Sequence, residues 1–205
     1  MLIISIILLY IIASLWETIV HWKILHAKKN TYQNWGKLGG VFGKLRKGWF
    51  SHNRVHHNYT FKKSQFIQFE SEKEQKILNR KLPEDLKDLI IDNRYGLSVS
   101  SFWEITTFVS VPLVFSIILL YYIDYRYIPI GIFIAVLPML LSKYLHPLLH
   151  MPQEILEKNR FSSWLSNTSY FKYIQESHLL HHKYGLCNFN LLPAGDYILG
   201  VYKKE

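Results

Sequence analysis

The chain has 205 residues, room for one domain or one membrane bundle with a cap, and its 49% apolar and 19% charged residues exclude a disordered polymer. Its net charge of +9 comes without a basic stripe of interleaved stacking aromatics, so the expected partner is anionic lipid rather than nucleic acid. A single cysteine, Cys187, excludes a disulfide framework and a multi-cysteine zinc site, and is expected as a small packed thiol.

Residues 2–16 read LIISIILLYIIASLW, and helix can continue through Glu17-Thr18-Ile19-Val20 toward His21. No basic segment precedes this run and no small-x-small pattern follows it. A retained membrane helix over about 2–20 is therefore expected rather than a signal peptide. Gly36, Gly39, Gly40, Gly43 and Gly48 then punctuate a basic stretch that reads as a loop; it lacks the Walker spacing of a phosphate cradle. Residues 70–81 read as a charged helix stopped by Pro83, and 84–93 as a second short helix.

Two further apolar runs, 105–123 and 128–145, are joined only by Asp124-Tyr125-Arg126-Tyr127. At about 1.5 Å per residue each reaches roughly 27–29 Å, close to the thickness of a bilayer's hydrocarbon core. They read as a transmembrane hairpin, with helices at about 105–123 and 128–146. Pro112, Pro129 and Pro138 are tolerable there, and Tyr121, Tyr122, Tyr125 and Tyr127 form an interfacial belt at the turn. Three crossings put 21–104 and 146–205 on one side, where nearly every Lys and Arg lies; positive-inside bias makes that side cytosolic. The expected fold is all-α: one integral-membrane helical bundle, 1–205, with a cytosolic helical cap.

All ten histidines fall in four groups: His21 and His26; His52, His56 and His57; His146 and His150; His178, His181 and His182. On α-helical spacing, His52 pairs with His56, His146 with His150, and His178 with His182. His57 and His181 are turned away by about 100°, so each three-histidine group can serve two neighbouring ions. His21 and His26, five apart, are expected to diverge toward different sides of a site or different metals. Neutral imidazole is the commonest side-chain metal ligand, and ten of ten histidines in such boxes point to one dinuclear centre. For His146 and His150, packing or hydrogen bonding beside the metals is the alternative role.

The boxes HWKILH (21–26), HNRVHH (52–57), HPLLH (146–150) and HLLHH (178–182), with the tail NFNLLPAGDYILG (188–200), resemble the membrane-bound fatty acid hydroxylase superfamily of fatty acid hydroxylases, sterol desaturases and carotenoid hydroxylases. The resemblance covers nearly the whole chain and is nearest the fatty acid 2-hydroxylase arrangement; here Asn58-Tyr59-Thr60-Phe61 follows the second box. It implies two iron ions (zinc in some purified proteins), held by all ten histidines, with O2 as co-substrate. It also implies hydroxylation of a C–H bond in a lipid chain, or desaturation as the alternative outcome. No nucleotide-binding fingerprint is present, so electrons are expected from a separate reductase or redox carrier.

Trp49, Phe50, Tyr144, Tyr184 and Phe189 are candidates to line an acyl slot, with interfacial packing as the alternative. Asp196 is a candidate anchor for a histidine or a cap. Glu17 is expected as an interfacial charge, with ligation or orientation the alternative, and Glu104 and Glu176 are read likewise. Two other classes compete. A membrane haem electron-transfer protein needs histidines on facing helices within the bilayer. A metal transporter or sensor needs charge inside the spans, and none of the three runs has any at its centre.

Overall fold

The computed structural model describes residues 1–61, 65–82, 84 and 102–204. Pro83 and the expected helix over 84–93, apart from Glu84, lie outside the described residues. Every regular element among the described residues is helical, as the apolar periodicities predict.

Helix α1 (Leu2–Ile19) runs without a break into a π-helical turn, Val20–Leu25. Helix α5 (Phe102–Asp124, numbered after the four that precede it in chain order) turns back through a short 3-10 segment, Tyr125–Tyr127, into α6 (Ile128–Leu140). The turn is closed by Asp124, whose carboxylate accepts the Arg126 N–H at 3.0 Å. Leu9 and Ala13 of α1 pack on Leu120 of α5 and Ile134 of α6, and the Trp16 indole donates to the Thr107 carbonyl at 2.8 Å. The α5–α6 contact is close because Gly131 has no Cβ: one added there would meet Leu120 Cδ1 at 2.6 Å. Two stretches, Leu2–Leu25 and Phe102–Leu149, are long and apolar enough to cross a membrane.

The basic stretch expected as a loop is instead two short helices, α2 (Lys29–Leu38) and α3 (Gly40–Trp49). Gly39 and Gly40, at φ +63° and +52°, make the break between them, a backbone region that glycine enters without a Cβ clash. Helix α3 continues into a second π-helical stretch, Phe50–Tyr59. The charged helix appears as α4 (Glu72–Arg80), with Ser71 Oγ accepting the Glu74 N–H at its start. Beyond α6 a third π-helical turn, Leu141–Leu145, leads into α7 (His146–Leu149). The short helices α8 (Gln153–Leu156) and α9 (Arg160–Ser166) precede α10 (Ser169–Tyr184). Helix α10 is capped by the Thr168 hydroxyl and ended by Gly185 at φ +76°. A final helix, α11 (Ala194–Ile198), docks against α1. The boxes thus leave the ends of α1, α3 and α6 and the last turns of α10, and converge.

Candidate metal centre

The ten imidazoles meet in one continuous cluster. His21, His26, His52, His57 and His181 place one ring nitrogen each within 4.8 Å of one another, as do His56, His146, His150 and His178. A third grouping of His56, His57 and His182 joins the two, so the sets adjoin.

In the first set the Nε2 atoms of His26, His52, His57 and His181 form a closed circuit. Its edges are 3.2 Å (26–52), 3.1 Å (52–57), 3.1 Å (57–181) and 3.2 Å (181–26). His21 Nε2 lies 2.8 Å from that of His52. In the second set His178 is the hub, with Nε2 at 3.1 Å from His146 and 2.9 Å from His150; it also reaches His182 of the joining group at 3.1 Å, and His182 in turn lies 3.0 Å from His56.

Hydrogen bonding among the rings cannot account for this. His52 and His178 each have three Nε2 neighbours, and a neutral imidazole nitrogen carries one proton or one lone pair. Three tautomers are also fixed. A carbonyl can only accept, so Nδ1–H of His21 donates to Phe189 O (2.5 Å), that of His181 to Cys187 O (2.8 Å) and that of His150 to Gln65 O (2.6 Å). Their Nε2 atoms then carry bare lone pairs aimed at other nitrogens, an arrangement that a cation at the centre satisfies. Asn53 approaches His26 Nδ1 at 3.3 Å through its amide nitrogen, and exchanging the near-isosteric ends of the amide places an acceptor there. His56 Nδ1 has no hydrogen-bond partner among the described residues.

Electrostatics favour the neutral, ligating form. Burial, then the mutual repulsion of the rings, holds His52, His56, His57, His178 and His182 well below the ordinary imidazole value. His150 is held there too, against the raising effect of its bond to Gln65. Burial and then His181 push His26 to about 2, and burial takes His181 to about 4 despite its bond to Cys187.

The expected helical phases are met in part. His146 and His150 share the second set, His178 reaches His182, and His181 turns to the first. The expected pairing of His52 with His56 is corrected: they belong to different sets, and His52 shares one with His57. The expected divergence of His21 and His26 is corrected likewise, because both join the first set. In both cases the segment is π-helical, and closure from i to i+5 puts residues five apart on one face. The His26 N–H accordingly bonds the His21 carbonyl at 2.9 Å.

A cavity of about 80 Å³ touches both sets through His21, His52, His146 and His178 and is lined also by Phe108 and Phe189. Of the aromatic candidates Phe189 lies at this cavity, Trp49 is buried, and Tyr144 and Tyr184 are exposed. Glu17, expected as an interfacial charge, is buried at the cavity and accepts backbone N–H groups; Glu104 is also in its wall, and Glu176 is exposed. Asp196 reaches no histidine: it accepts the Asn190 N–H at 2.9 Å and the Thr18 hydroxyl at 3.1 Å. Cys187 is a buried thiol, as expected, while its carbonyl serves the site. Sequence reading missed Phe61, stacked on His150 at 4.2 Å, and the Gln65 carbonyl. Only the aromatic character of Phe61, so near the second box, could have signalled it; a main-chain carbonyl leaves no signal. No family model matches this chain, and no curated protein or solved structure does.

Proposed function

We propose that the protein is a membrane-embedded, non-haem dimetal oxygenase that hydroxylates a C–H bond of a lipid chain. The observation that carries this reading is the convergence of ten imidazoles as two adjoining nitrogen sets and a third grouping that joins them. Nitrogens about 2.1 Å from one ion stand about 3.0 Å apart at right angles and about 3.4 Å apart at the tetrahedral angle. The observed 2.8–3.2 Å spacing suits five or six ligands per ion, more than zinc's usual four, and so favours iron. A haem would need a porphyrin's width between paired histidines, which nitrogens this close do not leave.

The bilayer supports the lipid part. Only 39% of the first apolar window and 28% of the second is buried, and Ile3, Ile4, Phe115, Ile118 and Phe133 face outward. Core helices of a soluble protein would bury such residues. On this reading α1, α5 and α6 cross the membrane, and the lysine-rich histidine face lies on the cytosolic side.

Two bound irons would supply the redox chemistry that converts R–H and O2, with two electrons and two protons from an external reductase or carrier, into R–OH and water. The chain's residues do the rest. Nδ1–H bonds to Phe189, Cys187 and Gln65 hold three rings in the ligating tautomer. Phe108, Phe189 and Leu191 exclude water and present an apolar wall against which one carbon can be held.

The test joins metal analysis of purified protein to lipid profiling of cells with and without it. Two ions per chain and a new hydroxylated lipid are expected. Metal-free protein that cannot be loaded, or an unchanged lipid profile, overturns the proposal.

A further inference from the structure

The segment 187–192 is buried from end to end and has no regular secondary structure, so its backbone groups need partners from elsewhere in the chain: the Asn188 N–H donates to the Val201 carbonyl at 3.1 Å and the Asn190 N–H to the Asp196 carboxylate at 2.9 Å. Glu17 takes the next two N–H groups: Oε1 accepts the Leu191 N–H at 3.1 Å and Oε2 the Leu192 N–H at 3.2 Å. The Asn190 side chain donates to the Ser14 carbonyl at 2.7 Å and the Thr18 hydroxyl at 2.6 Å, both on α1. The Tyr170 hydroxyl donates to the Leu191 carbonyl at 2.7 Å. Held this way, the segment turns two carbonyls inward, Cys187 O to His181 and Phe189 O to His21. Both histidines belong to the first nitrogen set; the second set's bond of this kind comes from Gln65, in a different part of the chain.

We infer that residues 187–192 are a strap setting the affinity of the first metal position alone, and that Glu17 is the positioning residue that fixes it. The inference rests on the dimetal reading above. Glu17 sits one helical turn before His21 on the same helix, so one element registers both the strap and the ring the strap orients. Without the carboxyl group, two buried N–H groups lose their acceptor, the Phe189 and Cys187 carbonyls lose their aim, and His21 and His181 are free to rotate. Groups that orient ligating histidines are worth about 10–100-fold in metal affinity. The two positions are therefore separable: one depends on the carboxyl-terminal strap and the other does not.

The experiment uses the full chain in detergent, stripped of metal and titrated with Co(II) against a competing chelator, with absorption as the readout. Wild type is expected to bind two ions. Glu17→Ala should weaken one of them by about 10–100-fold and leave the other in place. Glu17→Gln, which keeps an oxygen for one N–H, should fall between, and Tyr170→Phe should produce a smaller loss at the same position. A general structural defect would weaken both positions together. Equal weakening of both, or of neither, overturns the strap; should Glu17→Ala fail to fold, Glu17→Gln and Tyr170→Phe decide by the same criterion. Wild-type protein that takes up no Co(II) overturns the dimetal reading itself, a result distinct from any change in the ratio of the two affinities.

Discussion

His52 and His57 lie five residues apart and bring their Nε2 atoms to 3.1 Å, whereas His52 and His56, four apart, belong to different nitrogen sets. The π-helical course of Phe50–Tyr59 is the cause: it turns an HxxxHH box into one shared pair and one ring for the neighbouring set. His57 and His182 stack at 4.3 Å where the sets adjoin.

The hubs make a first prediction. His52→Ala removes the nitrogen that three neighbours share in the first set, and His178→Ala removes the one shared by His146, His150 and the adjoining His182. Each is expected to lower bound metal by about one ion per chain, measured by mass spectrometry of purified protein. Alanine at His56, His57, His181 or His182 should abolish product formation and lower metal content. Full activity in those four variants would end the dinuclear proposal.

Acid should unfold the metal-free protein early. The ordinary imidazole value is near 6.5, and the folded state holds His181 at about 4 and His26 at about 2, with six other rings well below their usual range. Below pH 6.5 the unfolded chain therefore binds protons that the folded chain does not, and stability falls as pH falls. Each ring contributes up to about 1.4 kcal/mol per pH unit until its folded value is reached. Asp196 works the other way. Burial raises it to about 6, so the folded state is protonated between pH 6 and 4 while the unfolded state is not, which adds stability on acidification. The eight rings outweigh Asp196, so the melting temperature should drop as pH falls from 6.5 to 4. A flat or rising profile would contradict these neutral rings.

How much of this was legible in the sequence follows from what each feature depends on. The course of α5, the turn after it and the start of α6 are written in apolar run-length and in Asp124-Tyr125-Arg126-Tyr127, because they depend on local composition; that α6 gives way to a π-helical turn at Leu141 is not. The phase of the boxes depends on whether a segment closes from i to i+4 or from i to i+5. It could be read for α10, which is α-helical, and not for Val20–Leu25 or Phe50–Tyr59, because packing of neighbouring elements rather than propensity decides a π-turn. The carbonyls of Gln65, Cys187 and Phe189 were invisible for a simpler reason: every residue has one, and only the fold aims it. Glu17 looked like an interfacial charge because the strap that covers it comes from the other end of the chain.

The docking of α11 on α1 yields a prediction about stability. A Cβ at Gly195 would overlap the Ser14 carbonyl oxygen and stand 2.5 Å from Thr18 Oγ1. The first obstacle is backbone, so it cannot rotate aside, unlike the Leu120 side chain opposite Gly131. Gly195→Ala is expected to lower stability by about 1–3 kcal/mol through overpacking, read as a lower melting temperature. An unchanged melting temperature would mean that α11 does not sit this close to α1.

A last prediction concerns access to the cavity between the nitrogen sets. A second cavity, of about 40 Å³, lies beside the first against Val20, Leu45 and Trp103, and the two share Leu25, Gly48, Glu104 and Phe108 as walls. Gly48 is the small member of that shared wall: a Cβ there would touch Leu25 Cδ2 at 3.7 Å, ordinary van der Waals contact. Gly48→Ala therefore fits without displacing a neighbour, and in the interior of α3 it should raise stability by about 0.5–1 kcal/mol. Gly48→Leu adds three more carbons at a wall that both cavities share. If a lipid chain reaches the metals past that wall, Gly48→Leu should cut product formation by about tenfold or more while bound metal stays at the wild-type count, because Gly48 supplies no ligand. The pair of measurements separates a blocked path from a damaged centre. Full activity with leucine at 48 would place the route elsewhere, and loss of metal together with activity would show that α3 holds the His52 box in place rather than lining a path to it.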